Sequence, residues 1–184
     1  MKRIFIAIKI VPGQKLAKII TSLKSDLAGE RITWVDPANI HITLAFLGDT
    51  EEGRIGVLRT LLRERCSGFG AFAITLKGTG LFRNLNDPRV IWVGIDAPDK
   101  LIALNEKIKT GLGDKGFITD DKPFKPHLTL GRIKHVSDKG SLMDATAEYG
   151  DEIIQEIQVS EVILYESILR SSGPEYRALD HFGI

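Results

Sequence analysis

The first apolar segment, "RIFIAIKI" at residues 3–10, is rich in β-formers and stops at Pro12-Gly13, the pattern of a strand followed by a turn. The spacing then lengthens. Between Gln14 and Leu27 apolar residues fall at Leu16, Ile19, Ile20, Leu23 and Leu27, one face of a helix. "NIHITLAFLG" reads as a strand closed by Gly48, residues 51–65 as a helix facing inward through Ile55, Leu58, Leu61 and Leu62, and "GAFAITLKG" at 70–78 as another strand. The order then recurs. "RVIWVGID" at 89–96 is a strand, Pro98 opens a helix to about Gly111 with Leu101, Leu104 and Ile108 inward, and "PHLTLGRI" is again a strand. A weaker helix covers 137–148, "IQEIQVSEVILYES" contains the next strand, and "EYRALDHFGI" adds one more that pairs back onto the body.

A shift of eighty-six residues carries Ile4 to Val90, Leu16 to Ile102, His41 to His127 and Phe72 to Gln158. One offset aligns a helix and three strands, which argues for a single domain of two similar lobes, approximately 1–86 and 87–184, with room for exchange of strands between them. Strands separated by helices fit either parallel βαβ units or an α+β lobe with an antiparallel sheet, and periodicity leaves both open.

Two of the chain's four histidines sit in the repeated phrase, as His41-Ile42-Thr43-Leu44 and His127-Leu128-Thr129-Leu130. Alternate side chains of a strand share a face. Strict alternation therefore puts His41, Thr43 and Ala45 on one side with Ile42, Leu44 and Phe46 opposite, and His127, Thr129 and Gly131 opposite Leu128 and Leu130. Two such strands can bring two imidazoles and two hydroxyls to one cleft. That set suits phosphoryl transfer at a phosphodiester: one imidazole takes a proton from water, the other gives one to the leaving oxygen, and the hydroxyls hold the non-bridging oxygens. A lone His-x-Thr is more often a hydrogen-bonded structural histidine; two copies at the repeat offset reverse that weighting. A zinc site would need a third or fourth protein ligand. No Cys, His or carboxylate is tied to either strand by spacing, so no metal and no cofactor is expected. His135 and His181 lack the pattern and read as surface or packing residues, and Trp34, Phe46 and Trp92 as core.

Charge changes little: 25 Lys and Arg against 24 Asp and Glu leave a formal charge of +1, with no broad basic surface for nucleic acid. A small anionic substrate or a strand end needs only a local patch, and Lys122, Lys125 and Lys134 surround the second histidine, offset by Asp120 and Asp121. Such a lysine-rich loop is more often simply solvated. The single Cys66 allows no intrachain disulfide, and no apolar run approaches the length of a membrane span. A cytoplasmic protein without a membrane segment is expected, and a monomer. "GTGLFRNLNDPR" at 78–89 is a polar loop whose Phe82 either stacks on a base or anchors the loop to the core.

With its paired H-x-T-hydrophobic motifs, "RIFIAIKI", "RVIWVGI", "FKPHLTLGR" and "SEVILYESILRSSGPEYRAL", the chain resembles, nearly end to end, the two-histidine phosphoesterase superfamily. Within it the resemblance is to the RNA 2′,3′-cyclic phosphodiesterase and 2′-5′ RNA ligase group. It implies a bilobal α+β fold of pseudo-two-fold, duplicated architecture, with mainly antiparallel sheets, helices outside and a central cleft. It implies metal-independent opening of an RNA terminal 2′,3′-cyclic phosphate, or of a small nucleotide cyclic phosphate, to a 2′-phosphomonoester. Ligation in the reverse sense and a non-catalytic RNA-end binding module are the alternatives. Carried over, His41 is the general acid, His127 the general base, and Thr43 and Thr129 bind the phosphate. Arg132 matches an arginine that contacts it, although simple alternation turns Arg132 to the Leu128 face unless the strand ends or bulges, and the first copy is read as carrying Leu47 in that place. Phe82, Lys125 and Lys134 are the candidate RNA contacts.

Overall fold

The computed structural model describes residues 1–82, 87–96, 98–119, 123–171 and 173–184. Lys122, Asp120 and Asp121 and the centre of the 78–89 segment lie outside the described residues. In chain order the elements are β1 (Lys2–Lys9), α1 (Gln14–Asp26), β2 (Arg31–Trp34), β3 (His41–Thr50), α2 (Ile55–Cys66), β4 (Phe72–Phe82), β5 (Val90–Asp96), α3 (Asp99–Asp114), β6 (His127–His135), α4 (Lys139–Ala147), β7 (Ile153–Val159), β8 (Glu161–Arg170) and β9 (Gly173–Gly183).

The strands form two sheets, in the order β3-β1-β8-β9 and β2-β6-β5-β4-β7, and every pairing is antiparallel. The fold is therefore α+β with two similar sheets, and the parallel βαβ alternative falls. The sheets match position by position. Each His-x-Thr strand lies beside the opening strand of its own half, β1 or β5. The third place is then filled from the other half, by β8 in the first sheet and β4 in the second. The helices cross over as well. α3, from the second half, packs with α2 over the first sheet, while α1 packs against α4 and β7 of the second. A main apolar core results, running from Ile4, Ile6 and Ile8 through Leu16 and Leu23 to Leu101, Leu104, Leu128 and Leu130, while Phe5, Ala7, Ile163 and Tyr165 form a smaller buried cluster apart from it.

The burial pattern refines the internal repeat. Leu101 is buried and Ile102 exposed, so the partner of buried Leu16 is Leu101, at an offset of eighty-five; the offset becomes eighty-six only at the histidines. One residue has been gained between the helix and the histidine strand of the second half. Two elements differ from the sequence reading. β2 is a four-residue edge strand with too few residues to show a period, and the segment read as holding one strand after α4 supplies two, β7 and β8, separated at Ser160.

α4 has no strong apolar face, and its N-terminal end is held by polar contacts instead. Asp138 caps it by accepting from the Ser141 N–H at 3.0 Å and hydroxyl at 2.8 Å. The Glu30 carboxylate accepts from the backbone N–H groups of Ser137 (2.7 Å) and Asp138 (2.9 Å), which lowers its pKa. Among the described residues no helix is long and apolar enough to cross a membrane.

Candidate active site

The site faces of β3 and β6 are set by a bulge in each strand. Across β1 and β3, Ala7 lies opposite Thr43 and Ile6 opposite Ala45, so Leu44 has no partner. Across β5 and β6, Trp92 lies opposite Thr129 and Ile91 opposite Gly131, so Leu130 has none. Because side chains alternate with a period of two, one extra residue moves everything beyond it to the other face. Ala45 and Gly131 thus turn toward the core, while Phe46 and Arg132 join the faces that carry His41, Thr43, His127 and Thr129. The assignment of Ala45 and Gly131 to the histidine faces is corrected by this, and so is the core reading of Phe46, which is 44% exposed. Arg132 stands on the His127 face through a bulge placed before Gly131. Its counterpart in the first copy is Phe46, five residues after His41, not Leu47.

Each bulge leaves a carbonyl to satisfy. The Leu44 carbonyl accepts from the side-chain amide of Asn105 on α3, at 2.7 Å and fully buried; the Leu130 carbonyl accepts from the Val35 N–H at 2.8 Å. Replacing Asn105 with alanine is expected to strand a buried carbonyl and lower the unfolding free energy by about 1–3 kcal/mol, measured by urea titration.

Both imidazoles are fixed in the same way. Nδ1 of His41 donates to the Asn39 carbonyl at 2.7 Å, and Nδ1 of His127 to the Lys125 carbonyl at 2.7 Å. A carbonyl oxygen only accepts, so in the neutral ring the proton sits on Nδ1 and Nε2 keeps its lone pair. Burial lowers the pKa of both histidines. The carbonyls work against this, and the positive charge of Arg132 adds to it at both rings; at His41, His127 lowers it further. The two rings and Arg132 therefore share one electrostatic neighbourhood, across strands β3 and β6 that approach each other between the sheets.

Aromatic walls surround the rings. His41 lies 5.0 Å from Phe5 and meets Tyr176 edge-on at 5.3 Å. Phe5 stacks on Tyr165 at 5.1 Å. His127 meets Phe82 edge-on at 4.5 Å, and Phe82 lies 5.5 Å from Trp92. Trp92 is accordingly a half-buried residue of the cleft wall, not of the core. Its indole lies across Gly80, where a Cβ would fall 2.5 Å from Cζ2, so a glycine is required for the ring to take this place beside Phe82.

Thr43 is exposed and Thr129 half-buried, each two residues along the strand from its histidine. Lys125 and Lys134 are exposed, Lys125 two residues before β6 and Lys134 within it. Trp34 is half-buried and packs on the core. His181 is exposed and its Nδ1 contacts Glu161 at 3.1 Å; His135 is exposed at the end of β6. Among the described residues no three His, Cys, Asp or Glu side chains gather to hold a metal ion.

Sequence reasoning passed over Tyr176, Arg3, Phe46 and Trp92 as cleft residues. One signal was available: Arg3, Phe5, Ala7 and Lys9 alternate with the buried Ile4, Ile6 and Ile8 and so share the face opposite the core.

Two histidines with free Nε2 atoms, two hydroxyls and an arginine at the meeting of two duplicated sheets define a cleft equipped for acid–base chemistry on an anion. The family described as LigT like Phosphoesterase matches the chain twice, over residues 8–92 and 93–176, one match for each half. The chain is 35% identical over 179 residues to the RNA 2′,3′-cyclic phosphodiesterase of Thermotoga maritima, covering 96% of this chain and 92% of that one. It is 31% identical to the protein of the same name from Methanothermobacter thermautotrophicus over 98% of this chain and 97% of that one. Among solved structures, TT0787 of Thermus thermophilus superposes with a TM-score of 0.80 at 26% identity, covering 98% of this chain and 97% of that one. E. coli LigT complexed with 3′-AMP gives 0.75 at 25% identity, over 100% and 98%. The chain belongs to the LigT-like phosphoesterase family of two-histidine enzymes.

Proposed function

We propose that this phosphoesterase hydrolyses the 2′,3′-cyclic phosphate at an RNA 3′ end to a 2′-phosphomonoester, using His127 as general base and His41 as general acid. The observation that carries the reading is the matched pair of imidazoles, each held through Nδ1 by the carbonyl two residues before it, with Arg132 acting on both. Nε2 of neutral His127 takes a proton from water as the water oxygen attacks phosphorus. The P–O3′ bond breaks, and Nε2–H of protonated His41 delivers its proton to O3′. The hydroxyls of Thr43 and Thr129 donate to the non-bridging oxygens, and Arg132 stabilises the charge gathered on them. The proton gained by His127 and lost from His41 is exchanged with solvent before the next turn. The names of the relatives support the substrate, as does the binding of 3′-AMP by E. coli LigT. With a 5′-hydroxyl in place of water as the nucleophile, the same displacement of O3′ by the same groups joins two ends through a 2′-5′ bond.

The test is incubation with an oligonucleotide ending in a 2′,3′-cyclic phosphate, with the position of the product phosphate read by chromatography against 2′ and 3′ standards. A 2′-phosphate is expected; a 3′-phosphate product or no turnover overturns the proposal.

The pH profile follows from the two histidines. The base must be neutral, so its limb rises with pH; the acid must be protonated, so its limb falls. Both imidazoles sit below the ordinary value of 6.5, burial being the main cause. The profile of kcat/KM, which reports the free enzyme, is therefore expected to peak on the acid side of 6.5, with two apparent values belonging to the pair. A peak on the alkaline side of 6.5 would contradict the lowered values of the two rings.

A further inference from the structure

The first sheet carries a cleft arginine of its own. Arg3 is exposed, shares the cleft face of β1 with Phe5 and Ala7, and places its guanidinium 5.1 Å from the centre of the Phe46 ring. Asp49 lies directly opposite it in the sheet, yet the two form no ion pair; the guanidinium turns along the strand to Phe46 instead. No carboxylate among the described residues pairs with Arg3. An arginine stacked on an aromatic face keeps its N–H edges free and fixed in direction, ready for an anion.

The register says which anion. Phe46 lies opposite Phe5, and Thr43 opposite Ala7, so the two rows are two residues of β1 apart, roughly 7 Å. A guanidinium over Phe46 stands one row away from the phosphate that Thr43 holds. Arg132 and Arg3 divide accordingly: Arg132 acts on both imidazoles, whereas Arg3 acts with it on Tyr176, whose ring is the wall beside His41. Arg132 belongs to the reacting centre, and Arg3 lies one step outside it on the opposite sheet.

We propose that Arg3, oriented by Phe46, binds the phosphodiester that joins the terminal nucleotide to the one before it, and so makes the enzyme prefer an RNA end to a free nucleotide. This rests on the hydrolase reading above. A cyclic mononucleotide has no such phosphate, and neither does a dinucleotide whose linkage is a neutral methylphosphonate.

The experiment compares kcat/KM for adenosine 2′,3′-cyclic phosphate, the dinucleotide ApA ending in a 2′,3′-cyclic phosphate, and that dinucleotide with a methylphosphonate linkage, in the parent and in Arg3→Gln and Arg3→Lys. In the parent the dinucleotide is preferred, and neutralising its linkage removes the preference. In Arg3→Gln the ratio of dinucleotide to mononucleotide falls about tenfold, through KM, and the methylphosphonate costs nothing further. Arg3→Lys restores part of the ratio. Using a ratio cancels any loss of folded protein. A ratio unchanged in Arg3→Gln, or a methylphosphonate penalty as large in the variant as in the parent, overturns the subsite while leaving the hydrolase reading intact. No turnover of any of the three substrates by the parent overturns the hydrolase reading and this inference with it.

Discussion

Alanine in place of His41 or of His127 is expected to lower kcat on an RNA 2′,3′-cyclic phosphate by roughly a hundred- to ten-thousandfold, the range contributed by a positioned proton donor or acceptor. The two variants separate on a second substrate. An aryl phosphodiester with a p-nitrophenolate leaving group needs no proton on departure. The His41→Ala variant is expected to recover most of its deficit there and to lose the falling limb of its pH profile. The His127→Ala variant still lacks the group that activates water and recovers nothing. The near-identical fixing of the two rings, each by a carbonyl two residues upstream, makes this assignment worth testing, because nothing in the local geometry of either ring gives it a direction. The reverse pattern of recovery would exchange the roles of the two histidines. Full activity of either variant on the RNA end would remove the two-histidine mechanism.

Arg132 carries the second large effect, on two readouts at once. Its loss in Arg132→Ala is expected to reduce kcat/KM by about 10²–10³, the scale of removing a preorganised donor to a developing oxyanion. It should also move the pH optimum upward. Arg132 is a positive charge that holds both imidazoles below their ordinary value, after burial; without it each ring takes up a proton at higher pH, so both limbs shift in the same direction. Steady-state kinetics from pH 5 to pH 8 measures both. A loss of rate with no shift would mean that Arg132 does not share the histidines' electrostatic neighbourhood. Arg132→Lys keeps the charge and so keeps the optimum, but lacks the planar fork and recovers only part of the rate.

Much of this was legible in the sequence. The helices were visible because their apolar residues fall where the core needs them, as at Leu16, Ile19, Ile20 and Leu23, and the histidine strands because the phrase repeats. Sheet order was not legible. Which strand fills the third place beside β1 is decided by contacts between residues about 160 positions apart, such as Ile4 with Glu166 and Ala7 with Ile163, and no local period records them. The faces of β3 and β6 were half legible. Alternation placed His and Thr correctly and then failed at Leu44 and Leu130, where one unpaired residue reverses the count. The spacing of five between His127 and Arg132 was the trace of that bulge. Two residues needed on one face of a strand at an odd separation require an extra residue between them. Phe82 was named in sequence as either a stacking residue or a loop anchor, and the structure places it edge-on to His127, outside the main core.

The exchange of strands between the sheets bears on how the molecule folds and moves. The chain passes from one sheet to the other after β1, β2, β3 and β7, so four separate connections tie the sheets together. A single linker would let two lobes swing apart about a hinge; four crossings, with helices of each half buried on the other half's sheet, resist such a swing. Fragments cut at residue 86 would each retain strands whose neighbours lie in the missing piece, and neither is expected to give a cooperative melting transition on its own, whereas the mixture is expected to recover one. The approach of β3 to β6, which brings the two imidazoles into one neighbourhood, is then held by four covalent connections and not by a hinge.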